Sequence, residues 1–277
     1  MKTTNFINSM KTKSKFKKLL KISLLTGFLP FVFNNQPAKA VTECPPNDSV
    51  TSLSGVSSPC YITPETYKVT FFELGFCTSD PLSTSTLDKS NCAKSWDNTS
   101  GITTDLALKT YSKMPGNTYK IPNAVYTHAY VVMSNSSILK GKYKLKDGPT
   151  FYSKANYSGS TNSSEYDTFT DAVVNMEGNE GTNLCYDYAA NTTKGPVKAV
   201  LADNNLISAT NSSSCNSATR MIGSITMNST LKMDDSVKGY RLTWTVTNMG
   251  MGINIDGSGN PFSTRGGPFA PHFELIK

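Results

Sequence analysis

The sequence predicts an all-β protein: an antiparallel β-sandwich of jelly-roll type, stapled by disulfides. Serine, threonine, asparagine, glycine, tyrosine and valine are plentiful, and no long stretch repeats its apolar residues at the helical period. Short runs with apolar residues at alternate positions are separated by turn residues. Six cysteines follow a segment typical of exported chains. Together these observations favour a β-sandwich that is stapled by disulfides.

Residues 1–40 are predicted to be a secretory signal peptide. The leader carries seven lysines and no acid up to Lys21, the apolar run "ISLLTGFLPFVF" follows, and the small-x-small pattern "AKA" ends at Ala40. The run is too short to cross a bilayer, although a membrane-resident anchor is the alternative. The mature chain would begin at Val41, in a secreted, extracellular or transiently periplasmic protein with no insertion into the membrane.

The charge balance changes once the leader is removed. Eight of the 27 lysines and arginines lie in residues 1–40, which leaves 19 against 20 acids and a net charge of −1. Binding to nucleic acid needs clustered cations. The mature sequence therefore predicts no nucleic-acid partner.

The mature chain is predicted to have an irregular N-terminal segment, residues 41–65, and a sandwich domain, residues 66–277. The N-terminal segment holds two cysteines, Cys44 and Cys60, and its apolar residues recur every three positions. Insertion into a groove as a strand needs apolar residues at every second position. The pattern favours a segment stapled to its own fold over a linker or a device that reaches a neighbouring chain.

Two strands are the clearest in the sandwich domain. In "KGYRLTWTVTN", Tyr240, Leu242 and Trp244 fall on one face and polar residues on the other, which is typical of a half-buried antiparallel strand. "TYKVTFFELGFC" is apolar on both faces, which predicts a central strand or one with a bulge.

Further strands are predicted at 124–133, 137–154, 196–202, 219–233 and 272–277, for a total of roughly eight to ten. The run 137–154 should turn at Asp147-Gly148. "DLALKTY" and "DTFTDAVVNM" are candidates for short helices.

The cysteines are expected to form three disulfides. Pairing of sequence neighbours would close short loops, each worth about 2–4 kcal/mol, but the sequence leaves the pairing open. Ligation of zinc or an iron–sulfur cluster is the alternative, disfavoured because no Cys-x-x-Cys spacing occurs. The six residues are Cys44, Cys60, Cys77, Cys92, Cys185 and Cys215.

Motifs of catalysis are scarce, and the sequence predicts a non-enzymatic protein. His128 and His272 are the two histidines, and each is better explained as a packed or hydrogen-bonded residue of a strand than as a general base. Glu73 is oddly placed within an apolar strand, where an edge or bulge position that faces water is preferred over catalysis. An extracellular hydrolase with paired carboxylates stays open as an alternative.

Two weak candidate sites remain, and no cofactor is expected unless calcium binds. The loop "NIDGSGNPF" presents oxygens at Asn254, Asp256, Ser258 and Asn260, which could surround calcium, although it lacks the acid that an EF-hand needs. Trp96 could stack on a sugar in a carbohydrate-binding module, or could fill the core beside a disulfide.

The sequence favours a secreted structural or adhesive protein, held at a cell surface by protein contacts. A subunit of an extracellular fibre, joined by non-covalent strand addition, would fit this expectation. Its partners would be further copies or surface glycans. A secreted carbohydrate-binding module is the alternative function.

Overall fold

The computed structural model describes residues 41–84, 86–108, 113–177, 183–192 and 195–277. All of them belong to one unit, Pro37–Lys277. The predicted signal peptide lies outside the described residues. No helix in the described part of the chain is long and apolar enough to span a membrane.

Strands make up 52% and helices 5% of the described residues, so this part of the chain is nearly all-β. Three short helices are described, namely two 3₁₀ turns, Ala155–Tyr157 and Ser163–Glu165, and the helix α1, Ser212–Asn216. The strands of the described residues are, in chain order, β1 (Cys60–Ile62), β2 (Thr66–Cys77), β3 (Cys92–Asp105), β4 (Asn117–Thr118), β5 (Ala124–Lys140), β6 (Lys142–Lys144), β7 (Thr150–Ser153), β8 (Gly159–Ser160), β9 (Phe169–Ala172), β10 (Met176–Glu177), β11 (Asn183–Leu184), β12 (Tyr186–Thr192), β13 (Gly195–Ala202), β14 (Arg220–Met233), β15 (Gly239–Thr245), β16 (Met251–Ile255), β17 (Pro261–Gly266) and β18 (Ala270–Ile276).

One large antiparallel sheet forms the first layer. Its strand order is β12-β13-β14-β5-β2-β3-β4, and β9 also pairs with β5. As predicted, β2 is central: it lies between β5 and β3, and its register shifts between Phe71 and Glu73. This bulge explains the apolar residues on both faces, because Phe71 and Phe76 pack on one face and Phe72 on the other.

The second layer lies on the face of the large sheet that carries Phe71 and Phe76, called the inner face. Its main element is the β15–β18 ribbon, a two-stranded antiparallel sheet. The Phe71 ring stacks on Trp244 with centroids 5.1 Å apart, and the Phe76 ring meets Tyr240 edge-on at 5.0 Å. These contacts use the apolar face predicted for β15. The disulfide-stapled antiparallel sandwich is therefore confirmed.

Three smaller sheets are also present among the described residues. They have the orders β1-β16-β17, β6-β7-β8 and β10-β11. The predicted turn at Asp147-Gly148 joins β6 to β7, and Asp147 takes the positive φ of 54° that such a turn uses.

Several strand predictions need correction. "DTFTDAVVNM" forms the strand β9 and not a helix, because ladder pairing with β5 outweighs its weak helical pattern. "DLALKTY" holds a turn after β3, and its last three residues lie outside the described ranges. The structure also has more strands than predicted. The sequence patterns missed β3, β12, β16 and β17, which have 14, 7, 5 and 6 residues, as well as pieces of two to four residues.

The N-terminal segment 41–65 is built into this unit. Cys44 is bonded to Cys60, and the Lys146 N–H donates to the Val50 carbonyl at 2.8 Å. Leu53 is fully buried in the core, and its N–H donates to Gly259 at 2.9 Å. The segment is stapled to its own fold, as its apolar spacing favoured.

Candidate functional site

A cleft of about 1110 Å³ lies beside the β15–β18 ribbon. It runs between β15 and the β3–β4 side of the large sheet. Small-molecule sites usually have about 300–1,000 Å³, so the cleft could also accept a length of extended chain. The residues that line it include Leu74, Trp96, Leu106, Leu108, Lys113, Met114, Tyr119, Lys120, Ile121, Lys238, Ile276 and all of β15.

The strand β15 borders the cleft with its edge. It pairs with β18 along its whole length and with no other described strand. Every residue from Gly239 to Thr245 lines the cleft, although successive side chains point to opposite faces. A strand that lines a cleft with both faces must present its backbone edge there.

The floor of the cleft is apolar. Leu74, Trp96 and Leu106 are buried in the core beneath it, and Met114 and Ile121 pack partly against the same core.

Apolar side chains also project at the rim of the cleft. Leu108 is 61% exposed, Ile276 43% and Tyr119 41%. Large apolar residues that cluster around one concave surface mark an interaction site more often than scattered ones do. Tyr119 is held in place, because its hydroxyl donates to Asp97 Oδ2 at 2.9 Å and Lys94 Nζ lies 4.5 Å from its ring centroid.

Lysines and aspartates both border the cleft, but they differ in the hydrogen bonds and ion pairs that they form within the fold. Lys113, Lys120 and Lys238 are exposed and take part in none of the ion pairs of the described residues. The acids accept hydrogen bonds within the fold: Asp105 from the Tyr67 and Ala107 N–H groups, Asp234 from Ser236, and Asp235 from Asn123. These neutral donors leave the carboxylates charged, so charges of both signs border the cleft.

Trp96, the sugar-stacking candidate, lies in the wall of this cleft with only 3% of its surface exposed. Its ring face is therefore packed in the core and is not open to a sugar. The indole Nε1–H is buried without an acceptor among the described residues, an arrangement that costs about 1–3 kcal/mol. Gly116 (φ 145°) lies against it, and a Cβ there would come within 2.7 Å of Nε1.

The cysteines pair as sequence neighbours, which was one of the open pairings. The disulfides are Cys44–Cys60, Cys77–Cys92 and Cys185–Cys215. The second closes the loop 78–91 over the outer face of the large sheet, opposite the ribbon. None of the three borders the cleft.

The outer-face loop accounts for the odd carboxylate, Glu73. Its Oε1 accepts a hydrogen bond from the Tyr130 hydroxyl at 2.6 Å and pairs with Lys89 Nζ at 2.9 Å. Glu73 does sit at a bulge, but it does not face water: it ties the loop 78–91 to the sheet. Burial first, and then the Glu73 carboxylate, raise the pKa of Tyr130.

Asp80 fixes the other end of the same loop. It accepts hydrogen bonds from Lys198 Nζ, Ser224 Oγ and the Leu82 N–H, each at 2.9 Å. Burial opposes ionisation of Asp80, but these three donors outweigh it and lower its pKa. The loop is thus held by two carboxylates and a disulfide.

The histidines are far from forming a catalytic pair. His128 lies on β5, its Nδ1 lies 2.8 Å from Thr127 Oγ1, and burial lowers its pKa. His272 is exposed on β18, in the other layer. His128 agrees with the interpretation of a packed, hydrogen-bonded strand residue, whereas the side chain of His272 is exposed.

The calcium candidate is a compact turn between β16 and β17. Asp256 Oδ1 accepts the N–H groups of Ser258 at 2.9 Å and Asn260 at 2.8 Å, bonds that help lower its pKa. Asn254 instead donates to Ser263 on β17 at 2.8 Å. Across the described residues no cluster of three histidine, cysteine or acidic side chains could hold a metal ion. Calcium binding at this turn stays a prediction.

Sequence reasoning missed the cleft because its parts are distant in the chain. The one available signal was the segment 113–121, in which Met114, Tyr119 and Ile121 stand among lysines without any strand pattern. No protein-family model matches the chain, and no curated protein or solved structure matches it either, so the functional interpretation depends on the geometry of the cleft.

Proposed function

We propose that this chain is an extracellular structural or adhesive protein that joins a surface assembly by accepting a β-strand in the cleft beside β15. The observation that carries the proposal is the edge of β15, which has no ladder partner in the described residues and borders a cleft with an apolar floor. Added strands bind through main-chain hydrogen bonds, and their alternate side chains fill pockets.

A strand edge presents a row of N–H and C=O groups that pair readily with another chain, and proteins usually cover such edges or block them with charge or proline. Within β15, Gly239–Thr245, no proline occurs. The exposed apolar rim adds area that a partner would bury.

The extracellular setting is supported by the three disulfides, since disulfides persist in oxidising compartments. The signal-like residues 1–40 agree with it. The near-neutral mature chain fits association through apolar and backbone contacts better than through charge.

The two alternatives have less support. Trp96, the residue expected to stack on a sugar, has its ring packed in the wall of the cleft. A glycoside hydrolase would need a carboxylic acid with a raised pKa. Among the described residues, every carboxyl group with a resolved shift has a lowered pKa, namely Glu65, Asp80, Asp88, Asp97, Glu165, Asp234 and Asp256.

The proposal can be tested in the cells that produce the protein. The double variant Leu108→Glu/Ile276→Glu places charge at the rim, and Ile207→Glu changes an equally exposed apolar residue away from the cleft. Surface extracts run on native and sodium-dodecyl-sulfate gels should show the wild type and Ile207→Glu in high-mass complexes. The rim variant should appear as monomer in the medium. A wild type that is monomeric in every extract would refute the proposed function.

A further inference from the structure

We propose that the Cys77–Cys92 disulfide is a thiol–disulfide exchange site, which an external dithiol opens while the protein stays folded, and that His128 accepts the proton when the bond re-forms. The site lies on the outer face of the large sheet, so it is independent of strand acceptance in the cleft. The ladder around the two cysteines, their unequal exposure and the histidine beside Cys77 support it.

The two cysteines face each other across neighbouring strands. Cys77 on β2 and Cys92 on β3 are register partners in an antiparallel ladder, and their Cα atoms lie 4.0 Å apart. The ladder continues past them, since the Thr78 N–H donates to the Asn91 carbonyl at 3.0 Å. Main-chain hydrogen bonds therefore keep the two cysteines side by side whether or not their sulfurs are bonded.

The loop 78–91 between the cysteines is also held by bonds that do not involve sulfur. Asp80 Oδ2 pairs with Lys198 Nζ at 2.9 Å, and Glu73 Oε1 pairs with Lys89 Nζ at 2.9 Å. Both ion pairs connect the loop to the large sheet. Because they remain when the disulfide opens, the reduced loop keeps its place.

The two cysteines differ in access from solvent. Cys77 is fully buried, whereas Cys92 is partly exposed. A thiolate cleaves a disulfide by reaching one of its sulfurs. An external dithiol therefore attacks Cys92, and Cys77 is the sulfur that is released into the fold.

An imidazole lies beside the buried cysteine. His128 on β5 is the register partner of Cys77 across the other edge of β2, and such partners have Cβ atoms about 4.5–5.5 Å apart on one face. The Thr127 hydroxyl donates to the Thr78 carbonyl at 3.0 Å, so at 2.8 Å it accepts the proton of His128 Nδ1–H. Burial lowers the pKa of His128, which keeps the ring neutral at neutral pH, with the lone pair on Nε2.

The other two disulfides lack this combination. Cys185 and Cys215 are each 1% exposed. Cys44 is partly exposed, but its partner Cys60 lies opposite Ile253 in the ladder, an apolar residue in place of a histidine. Exchange is therefore expected at Cys77–Cys92 before either of them.

Reduction transfers two electrons and two protons from the dithiol to the cysteine pair. One thiolate of the dithiol attacks Cys92 Sγ, the sulfur–sulfur bond breaks with its electron pair on Cys77 Sγ, and Cys77 takes up a proton. The second thiolate of the dithiol then displaces Cys92, so the dithiol leaves as a cyclic disulfide.

The return reaction uses a small disulfide as the oxidant. The Cys92 thiolate attacks it and forms a mixed disulfide with release of one small thiol. His128 Nε2 then accepts the Cys77 proton, and the Cys77 thiolate attacks Cys92 Sγ and expels the second small thiol.

The test treats the mature chain from Val41 with dithiothreitol in native buffer. Samples are quenched with N-ethylmaleimide in denaturant, and peptide mass spectrometry gives the labelled fraction of each cysteine over time. We expect Cys77 and Cys92 to become labelled together and before the other four, while the circular dichroism spectrum stays unchanged. Earlier or equal labelling of Cys44 and Cys60, or loss of the spectrum as Cys77–Cys92 opens, would overturn the exchange site.

Closure is measured by adding glutathione disulfide to the chain reduced at Cys77–Cys92 and following the loss of labelling. His128→Gln should slow closure about a hundredfold, the lower end for loss of a general base. His272→Gln changes the exposed histidine of the other layer and should leave the rate unchanged. Equal closure rates in the wild type and His128→Gln would refute the proton acceptor. The cysteine labelling of the wild type tests the exchange site even if His128→Gln does not fold.

Discussion

Replacement of Phe76 by alanine should loosen the ribbon from the large sheet. Phe76 is 1% exposed on β2. Its ring meets Tyr240 of β15 at 5.0 Å and Phe273 of β18 at 5.2 Å, both close to edge-on. One side chain thus contacts both strands of the ribbon, so its loss should affect the contact between the two layers.

The expected cost follows from this environment. Removal of a buried phenylalanine costs about 3–5 kcal/mol, because apolar contact is lost and a cavity remains. Two near-perpendicular ring contacts, each worth about 0.5–1.5 kcal/mol, place Phe76 in the upper part of that range, at about 4 kcal/mol. A domain is typically stable by about 5–15 kcal/mol, so the variant should still fold but be marginal.

Urea unfolding with the disulfides intact measures this cost as a lowered midpoint at constant slope. Phe262→Ala is the matched control, since Phe262 is 54% exposed on β17 and should change stability by no more than about 0.5 kcal/mol. A loss below about 1.5 kcal/mol for Phe76→Ala, or equal losses in the two variants, would show that Phe76 does not join the layers as described.

Three further predictions concern the outer face. Asp80→Ala should lower the free energy of unfolding by about 2 kcal/mol, because it leaves Lys198 and buried Ser224 without their partner. Loss of the exposed Glu274, the control, should lower it by less than about 1 kcal/mol. Equal urea midpoints for the two variants would contradict this prediction. Burial raises the pKa of Tyr130 in the folded state. Its contribution to the free energy of unfolding is therefore complete below about pH 10 and is lost above it, because this tyrosine ionises first in the unfolded state. Between pH 8 and pH 11 the stability of Tyr130→Phe should fall less than that of the wild type. Joint replacement of Cys77 and Cys92 by serine opens a loop with a sequence separation of 15 and should cost about 3 kcal/mol, read from the melting temperature.

Local patterns predicted the parts of the fold that depend on neighbours in the chain. The alternation of Tyr240, Leu242 and Trp244 identified the inward face of β15, and the two-sided apolar pattern of β2 identified a central strand with a bulge. Both succeed because side chains alternate strictly along a strand, so burial leaves a direct trace in the sequence.

Local patterns failed where a partner distant in the chain decides the outcome. The helix expected over 167–176 is partly the strand β9, because β5 supplies a ladder there. Glu73 was expected to face water, but Lys89 and Tyr130 meet it on the outer face. Neither partner can be identified from the residues around Glu73 alone.

The residues alone predicted an all-β fold and three disulfides, because alternation and cysteine content are properties of the residues themselves; the export-type leader and the scarcity of catalytic motifs stay expectations. The folded structure was needed to show that the cysteines pair as neighbours, that residues 41–65 fold back onto the domain, and that β15 borders an open cleft. The reason is physical. The buried face of a strand is determined by its own side chains, whereas the pairing of its edge depends on which other strand lies beside it.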